Sequence, residues 1–303
     1  MVIKHLVLSG GGPNLFTGYG ALKKLHIENF WCLKNIKSIH GTSAGAIIGL
    51  FTALSVEWDV LDDYFIKRPW ENVFSVSPNM IFDAYSKRGI YSIKIFEDMF
   101  EPFFTLKEMT LETTFQQFYD ITKIDINMYC TDLNSFELVC LNYKNNPEMP
   151  ILQGLHATSA IPAIFSPVIY QERCLLDGGL LSNYPLASCL EYDSEMKKDE
   201  VLGLIGSMSN DNLIIKDDSV ITDYIFSMIY RLIDKCDDSQ KCHSKIKHEL
   251  CYPTKERCGS TWKDSLLSGE CREKMIKNGE DFAEEYLSNL LKPTSKTVQE
   301  QVE

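Results

Sequence analysis

Residues 41–54 read Gly-Thr-Ser-Ala-Gly-Ala-Ile-Ile-Gly-Leu-Phe-Thr-Ala-Leu, and no other stretch restricts the fold as much. Ile47, Ile48, Leu50, Phe51 and Leu54 leave a helix here without a polar face. Such a helix has to be buried. Directly before it, Ile36 to His40 has the character of a strand. A strand that turns sharply into a buried helix belongs at the centre of an α/β sheet. Ser43 then sits at the neck of a central strand–turn–helix unit.

The same alternation runs through the first half of the chain. His5 to Ser9 reads as a strand, and Leu15 to Asn29 as a helix with Leu15, Tyr19, Leu22 and Leu25 on one face. Residues 55–123 read as mostly helical, aromatic-rich and interrupted by Pro69, Pro78 and Pro102. Strands return at Ile126 to Thr131 and Phe136 to Leu141, on either side of the turn Asp132-Leu133-Asn134-Ser135. A short helix from Leu152 to Ser159 precedes an irregular proline-containing stretch. Cys174 to Leu176 is a strand ending at Asp177-Gly178-Gly179, and Val201 to Ile205 is another. The rest reads as mainly helical, closing with Asp281 to Leu291. With no repeat and no linker, one domain is expected over residues 5–291, followed by a polar, frayed tail over 292–303.

Composition narrows the function classes. A formal charge of −12 over 303 residues argues against nucleic acid, which is gripped by clustered Lys and Arg. It also argues against broad electrostatic attraction to anionic membranes. Met1-Val2-Ile3-Lys4 leads straight into a strand, without the parts of a signal peptide, and the longest apolar stretch, Ala44 to Leu54, is too short to span a bilayer. The expected location is the cytoplasm, or the periphery of an intracellular membrane. Of ten cysteines, Cys236, Cys242, Cys251, Cys258 and Cys271 share a segment with His243 and His248. None of the pairs has the close spacing of a zinc knuckle, so free thiols and no metal are expected.

Gly41-Thr42-Ser43-Ala44-Gly45 fits G-x-S-x-G, the turn that presents a nucleophilic serine between a strand and a helix. The helix N-terminus behind it favours negative charge near the serine oxygen. The competing reading is a plain turn in which Ser43 caps its own helix. A nucleophilic hydroxyl needs a neighbouring base. Among six histidines only His156, in a helix beside Ala157, suits a triad; His40 would point away along its strand. Asp177 competes, because it ends a strand and Gly178 and Gly179 leave its carboxylate uncrowded. Catalytic groups in open α/β sheets gather at such strand ends.

Gly10-Gly11-Gly12, Gly41-Thr42-Ser43-Ala44-Gly45 and Asp177-Gly178-Gly179, in that order, resemble the patatin-like phospholipases. Gly20-Ala21-Leu22, Cys130 to Ser135, Ala157-Thr158-Ser159-Ala160-Ile161-Pro162, Asn183-Tyr184-Pro185 and Lys277-Asn278-Gly279-Glu280 are similar too, so the resemblance runs from about residue 5 to about residue 290. It implies a three-layer α/β/α sandwich around a mainly parallel sheet and a Ser–Asp dyad without histidine or metal. Ser43 would be the nucleophile and Asp177 the base for hydrolysis of lipid acyl esters, of phospholipase A or lysophospholipase type. A carboxylate with an ordinary pKa of ~3.9 is a poor base for a hydroxyl, and burial would help by raising it.

In this light Gly10, Gly11 and Gly12 form an oxyanion loop, with the Gly11 and Gly12 amides as the best donors; Pro13 has no amide to give. A dinucleotide fingerprint is a poorer fit, since Leu15 stands where its last glycine belongs, and no Gly-Lys-Ser or Gly-Lys-Thr of a P-loop occurs. The family's loop continues with a basic residue and a glycine, but here Asn14 and Leu15 stand there. The missing cation leaves open slower turnover, less anionic lipids, or a non-catalytic lipid-binding relative; a soluble esterase or thioesterase is a further alternative. The aromatic stretch Trp70 to Phe104, with Met80-Ile81-Phe82 and Pro102-Phe103-Phe104, reads either as an interfacial or acyl-binding lip or as ordinary core.

Overall fold

The computed structural model describes residues 2–193, 195–207, 214–236, 245–254 and 259–291. β1 (His5–Leu8) leads through a short 3-10 turn into α1 (Leu15–Ile27), and β2 (Ser38–Gly41) into α2 (Ala44–Ala53). α3 (Trp58–Lys67), α4 (Trp70–Val73), α5 (Pro78–Lys87), β3 (Gly89–Tyr91), α6 (Lys94–Leu106) and α7 (Phe115–Thr122) follow. Next come β4 (Asp125–Asp132), β5 (Glu137–Leu141), α8 (Ile151–Thr158), β6 (Ala163–Phe165), β7 (Val168–Tyr170) and β8 (Arg173–Asp177). The chain continues with α9 (Leu186–Tyr192), β9 (Val201–Ser207), α10 (Ile221–Cys236), β10 (His248–Pro253), α11 (Gly259–Leu267) and α12 (Gly269–Leu291).

The main sheet has the order β10-β9-β1-β2-β4-β8-β7, with β5 also paired to β4. Pairs from β10 to β4 are parallel, while β4–β8, β7–β8 and β4–β5 are antiparallel. Alternation along β1 sorts its side chains between the two faces. Leu6 and Leu8 join the large core with α1, α2 and the aromatic helices, whereas Val7 joins a second cluster with Leu186 and Cys189 of α9. Helices thus cover both faces of a mostly parallel sheet, as expected.

Register brings three strand ends to one corner. Leu8 pairs with Gly41, Gly41 with Met128, and Cys130, two residues further along β4, with Asp177. The glycine loop after β1, the turn after β2 and the end of β8 therefore emerge side by side. Beneath them a polar line crosses the sheet. His5 Nδ1 lies 2.8 Å from Ser38 Oγ, which lies 3.0 Å from His40 Nε2, and His40 Nδ1 lies 2.8 Å from the Tyr129 hydroxyl. Burial pushes the His40 pKa down to about 3, so this ring is neutral at physiological pH.

Three features differ from the sequence reading. The expected helical remainder contains β10, in which His248, Leu250 and Tyr252 are buried and alternate with exposed residues. The irregular stretch after α8 holds the three-residue strands β6 and β7, and β6 pairs with β3 inside the region expected to be helical. The closing helix begins at Gly269, a dozen residues before Asp281. The polar tail over 292–303, Cys242, Cys258 and His243 lie outside the described residues. Among the described residues eight cysteines are free thiols, and no three or more His, Cys, Asp or Glu are grouped to hold a metal. No helix among them is long and apolar enough to cross a membrane.

Candidate active site

Ser43 occupies a backbone conformation that side chains rarely adopt, with φ 51° and ψ −122°. Holding a non-glycine residue there costs of order ~1–3 kcal/mol, so the surroundings must impose it. The Ser43 amide donates to Thr158 Oγ1 at 3.1 Å, and the Thr158 hydroxyl donates in turn to the Tyr129 carbonyl. The Ser43 carbonyl accepts from Ala46 and Ile47, which starts α2. Its hydroxyl makes no cap to that helix. The capping alternative therefore has no support, and the strained turn leaves the hydroxyl uncommitted to its own helix. Gly45 is required by proximity, because a Cβ there would lie 2.1 Å from the Leu8 carbonyl oxygen. Gly41 is crowded in the same way by the backbone of Ala46.

Asp177 is 4% exposed. Its amide donates to the Ala160 carbonyl at 3.0 Å, and its carbonyl accepts from Thr131 Oγ1. Its carboxylate accepts the Gly179 amide at 2.7 Å, which fixes its rotamer. Gly178 lets this turn lie against β4, since a Cβ there would come within 2.1 Å of the Tyr129 carbonyl. Asn183, which the sequence reading treats only as part of a supporting motif, knits the corner together. A Cβ at Gly10 would meet Asn183 Oδ1 at 2.5 Å and Ser43 Cβ at 3.3 Å. A Cβ at Gly179 would meet Asp177 Oδ1 at 3.0 Å and the same Asn183 oxygen at 3.2 Å. Ser43, Asp177 and Asn183 thus crowd the space that two glycines leave open.

The glycine loop divides its amides. The Gly10 amide donates to the Asn183 carbonyl at 2.9 Å, so Gly10, expected within the oxyanion loop, has no free donor. The next two amides are aimed by their neighbouring carbonyls. Asn183 Nδ2 donates to the Gly10 carbonyl at 3.3 Å, and Asn14 Nδ2 and the Asn14 amide each donate to the Gly11 carbonyl at 3.1 Å. In a trans peptide the C=O and the following N–H point in opposite directions. Tying back these carbonyls turns the Gly11 and Gly12 amides the other way. Gly12, with φ 53°, lines the cavity described below. Asn14 is only 2% exposed and serves the loop's own backbone.

His156 does not join this group. Thr158 faces Ser43, and residues two apart on a helix point to different sides. The His156 ring lies beside Phe96, with ring centres 5.6 Å apart, and burial lowers its pKa to about 4.

Ser43 and Gly12 open into a cavity whose empty space, mouth included, is about 700 Å³. Ile47, Phe96, Met99, Phe165 and Trp262 make its walls almost wholly apolar. Arg272, 3% exposed, holds the wall formed by α11 in place. Its guanidinium donates to the carbonyls of Phe65, Ile66 and Arg68 at the C-terminal end of α3 and of Ser265 and Leu266 in α11, at 2.6–3.1 Å. The aromatic stretch turns out to be divided. Phe103 and Phe104 are core, while Ile81, Phe82 and Tyr85 of α5 are 61%, 80% and 95% exposed.

A family model described as patatin-like phospholipase matches residues 6–190, from β1 into α9. The chain belongs to the patatin-like phospholipase family. It is 25% identical over 197 residues to a probable lipid hydrolase of Invertebrate iridescent virus 6, covering 64% of this chain and 66% of that protein. It is 28% identical over 210 residues to an uncharacterized protein of Acanthamoeba polyphaga mimivirus, covering 69% and 67%. Among solved structures, VipD from Legionella pneumophila matches with a TM-score of 0.56 and 16% identity, over 95% of this chain and 67% of that one. That likeness concerns the fold alone. The matched regions span about two thirds of each relative.

Proposed function

We propose that this protein hydrolyses acyl esters of lipids through a covalent acyl-enzyme on Ser43. The observation that carries this reading is the strained, uncapped Ser43 turn at the same corner as the buried Asp177 carboxylate, opening into an apolar cavity. In the reaction, Asp177 takes the Ser43 proton as the oxygen bonds to the ester carbonyl carbon. The carbonyl oxygen becomes negative and is met by the Gly11 and Gly12 amides, an effect worth ~3–4 kcal/mol per well-placed donor. The alcohol leaves with the proton from Asp177. Water, deprotonated by the same carboxylate, then bonds to the acyl carbon, and the fatty acid is released as the bond to Ser43 breaks and Asp177 returns the proton to the serine oxygen.

The almost wholly apolar lining of the cavity favours an acyl chain over a polar substrate, which is consistent with phospholipase A or lysophospholipase chemistry. α5 supports action at a lipid surface. The excursion that carries it is pinned at both ends near the cavity, where the Tyr91 hydroxyl donates to the Phe74 carbonyl at 2.7 Å. Phe74 lines the cavity, and α5 buries none of its own residues.

Mass-spectrometric release of fatty acid from a phospholipid and triacylglycerol panel tests the proposal. Ser43→Ala and Asp177→Asn should each cut release by at least about 10³-fold, while His156→Phe should stay within a few fold of the natural protein. Loss in His156→Phe together with survival of Asp177→Asn would transfer the base to the histidine.

A further inference from the structure

We infer that Ser159 is a substrate-contacting residue whose hydroxyl donates a hydrogen bond to the alkoxy oxygen of the scissile ester. The inference rests on the hydrolase reading and adds a group to it. Ser159 follows α8, is 4% exposed and lines the same cavity as Ser43. Its Oγ has no hydrogen-bond partner among the described residues. Burying a hydroxyl unpaired is costly, and folded proteins keep few such groups. The other hydroxyl on the apolar wall, that of Ser265, donates to the Trp262 carbonyl at 2.8 Å. Ser159 alone of the two has a donor to spare.

Its neighbours fix where that donor sits. Thr158 accepts the Ser43 amide, and Ala160 accepts the Asp177 amide. In the chain Ser159 lies between the residue that holds the nucleophile and the residue that holds the base, and it lines the cavity into which Ser43 opens. An acyl ester offers two oxygens there. The carbonyl oxygen belongs to the Gly11 and Gly12 amides of the β1–α1 loop, so the oxygen left for a donor at the end of α8 is the alkoxy one. As the tetrahedral intermediate collapses, the bond between the carbonyl carbon and the alkoxy oxygen breaks, and the proton taken from Ser43 passes from Asp177 to that oxygen. Ser159 keeps its own proton and stabilises the charge developing on the leaving oxygen.

A leaving group that is stable as an anion needs this help least, which defines the test. Ser159→Ala and Ser159→Thr are compared with the natural protein on a glyceryl ester and a p-nitrophenyl ester of the same fatty acid, using kcat/KM, together with thermal unfolding. Ser159→Ala should lose about tenfold to hundredfold on the glyceryl ester and less than about threefold on the aryl ester, where expulsion is easy. Ser159→Thr should recover most of the loss. The Tm of Ser159→Ala should be unchanged or higher, because a buried unpaired hydroxyl has been removed. Equal losses on both esters, no loss on either, or a lowered Tm would overturn the role of Ser159 alone. A natural protein inert toward both esters would overturn the hydrolase reading and this role with it.

Discussion

Ser43 and Asp177 stand out in the sequence because glycines mark them, and the structure gives the reason for each glycine. Gly45 and Gly178 lie where any Cβ would strike the backbone of Leu8 or Tyr129, so local sequence reports a tertiary constraint. Asn183 and Asn14 carry no such mark. Asn183 acts on Gly10, 173 residues away in the chain, and nothing adjacent to it announces that. Asn14 reads as a lost cation, yet its amide holds the Gly11 carbonyl and so aims the Gly12 N–H. Asn14→Ala should therefore lower kcat about tenfold to hundredfold while KM for a soluble ester moves less than about threefold. Steady-state kinetics decides between this and a role in substrate binding, which would move KM instead.

At the scale of elements, long periodic segments were legible and short pieces were not. α2 declares itself through an unbroken apolar surface, and all ten of its residues are buried. β6 and β7 have three residues each, too few to show alternation, and they exist because partner strands are close by. β10 does alternate, but its six residues follow a lysine-rich stretch and end in a proline, which hides the pattern. α5 shows what sequence could not separate. Its aromatic residues belong to the same run as the core residues Phe103 and Phe104, yet they point to solvent. If α5 meets the lipid surface, replacing Ile81, Phe82 and Tyr85 together with serine should reduce activity on phospholipid vesicles by about tenfold or more, since each loses apolar burial in the lipid. Hydrolysis of a soluble short-chain ester should change less than about twofold, because the helix has no buried residue to lose.

Over the whole molecule, the parallel order of β1, β2 and β4 is what makes a site out of residues far apart in sequence. The sequence reveals these three strands but not their register, and register alone sets Cys130 opposite Asp177 two residues beyond the Gly41 partner. The same close packing buries two histidines as neutral rings, with pKa values lowered from 6.5 to about 3 for His40 and about 4 for His156. Below pH 6.5 the unfolded chain binds protons at these rings that the folded chain refuses, so their contribution to stability falls with pH towards 4 and, for His40, towards 3. Thermal unfolding from pH 7 to pH 4 should show Tm dropping, and the drop should be shallower in His156→Phe, which fits beside Phe96 and removes an unpaired buried nitrogen. An identical slope in the variant would show that other groups control acid stability.

The central claim is that Ser43 is an activated nucleophile, and covalent capture tests it most directly. After incubation with a fluorophosphonate, intact-mass spectrometry with peptide mapping should find one adduct per chain, on Ser43, with none in Ser43→Ala and strongly slowed labelling in Asp177→Asn. An unmodified Ser43 under conditions that label a known serine hydrolase, or an adduct retained in Ser43→Ala, would contradict the account.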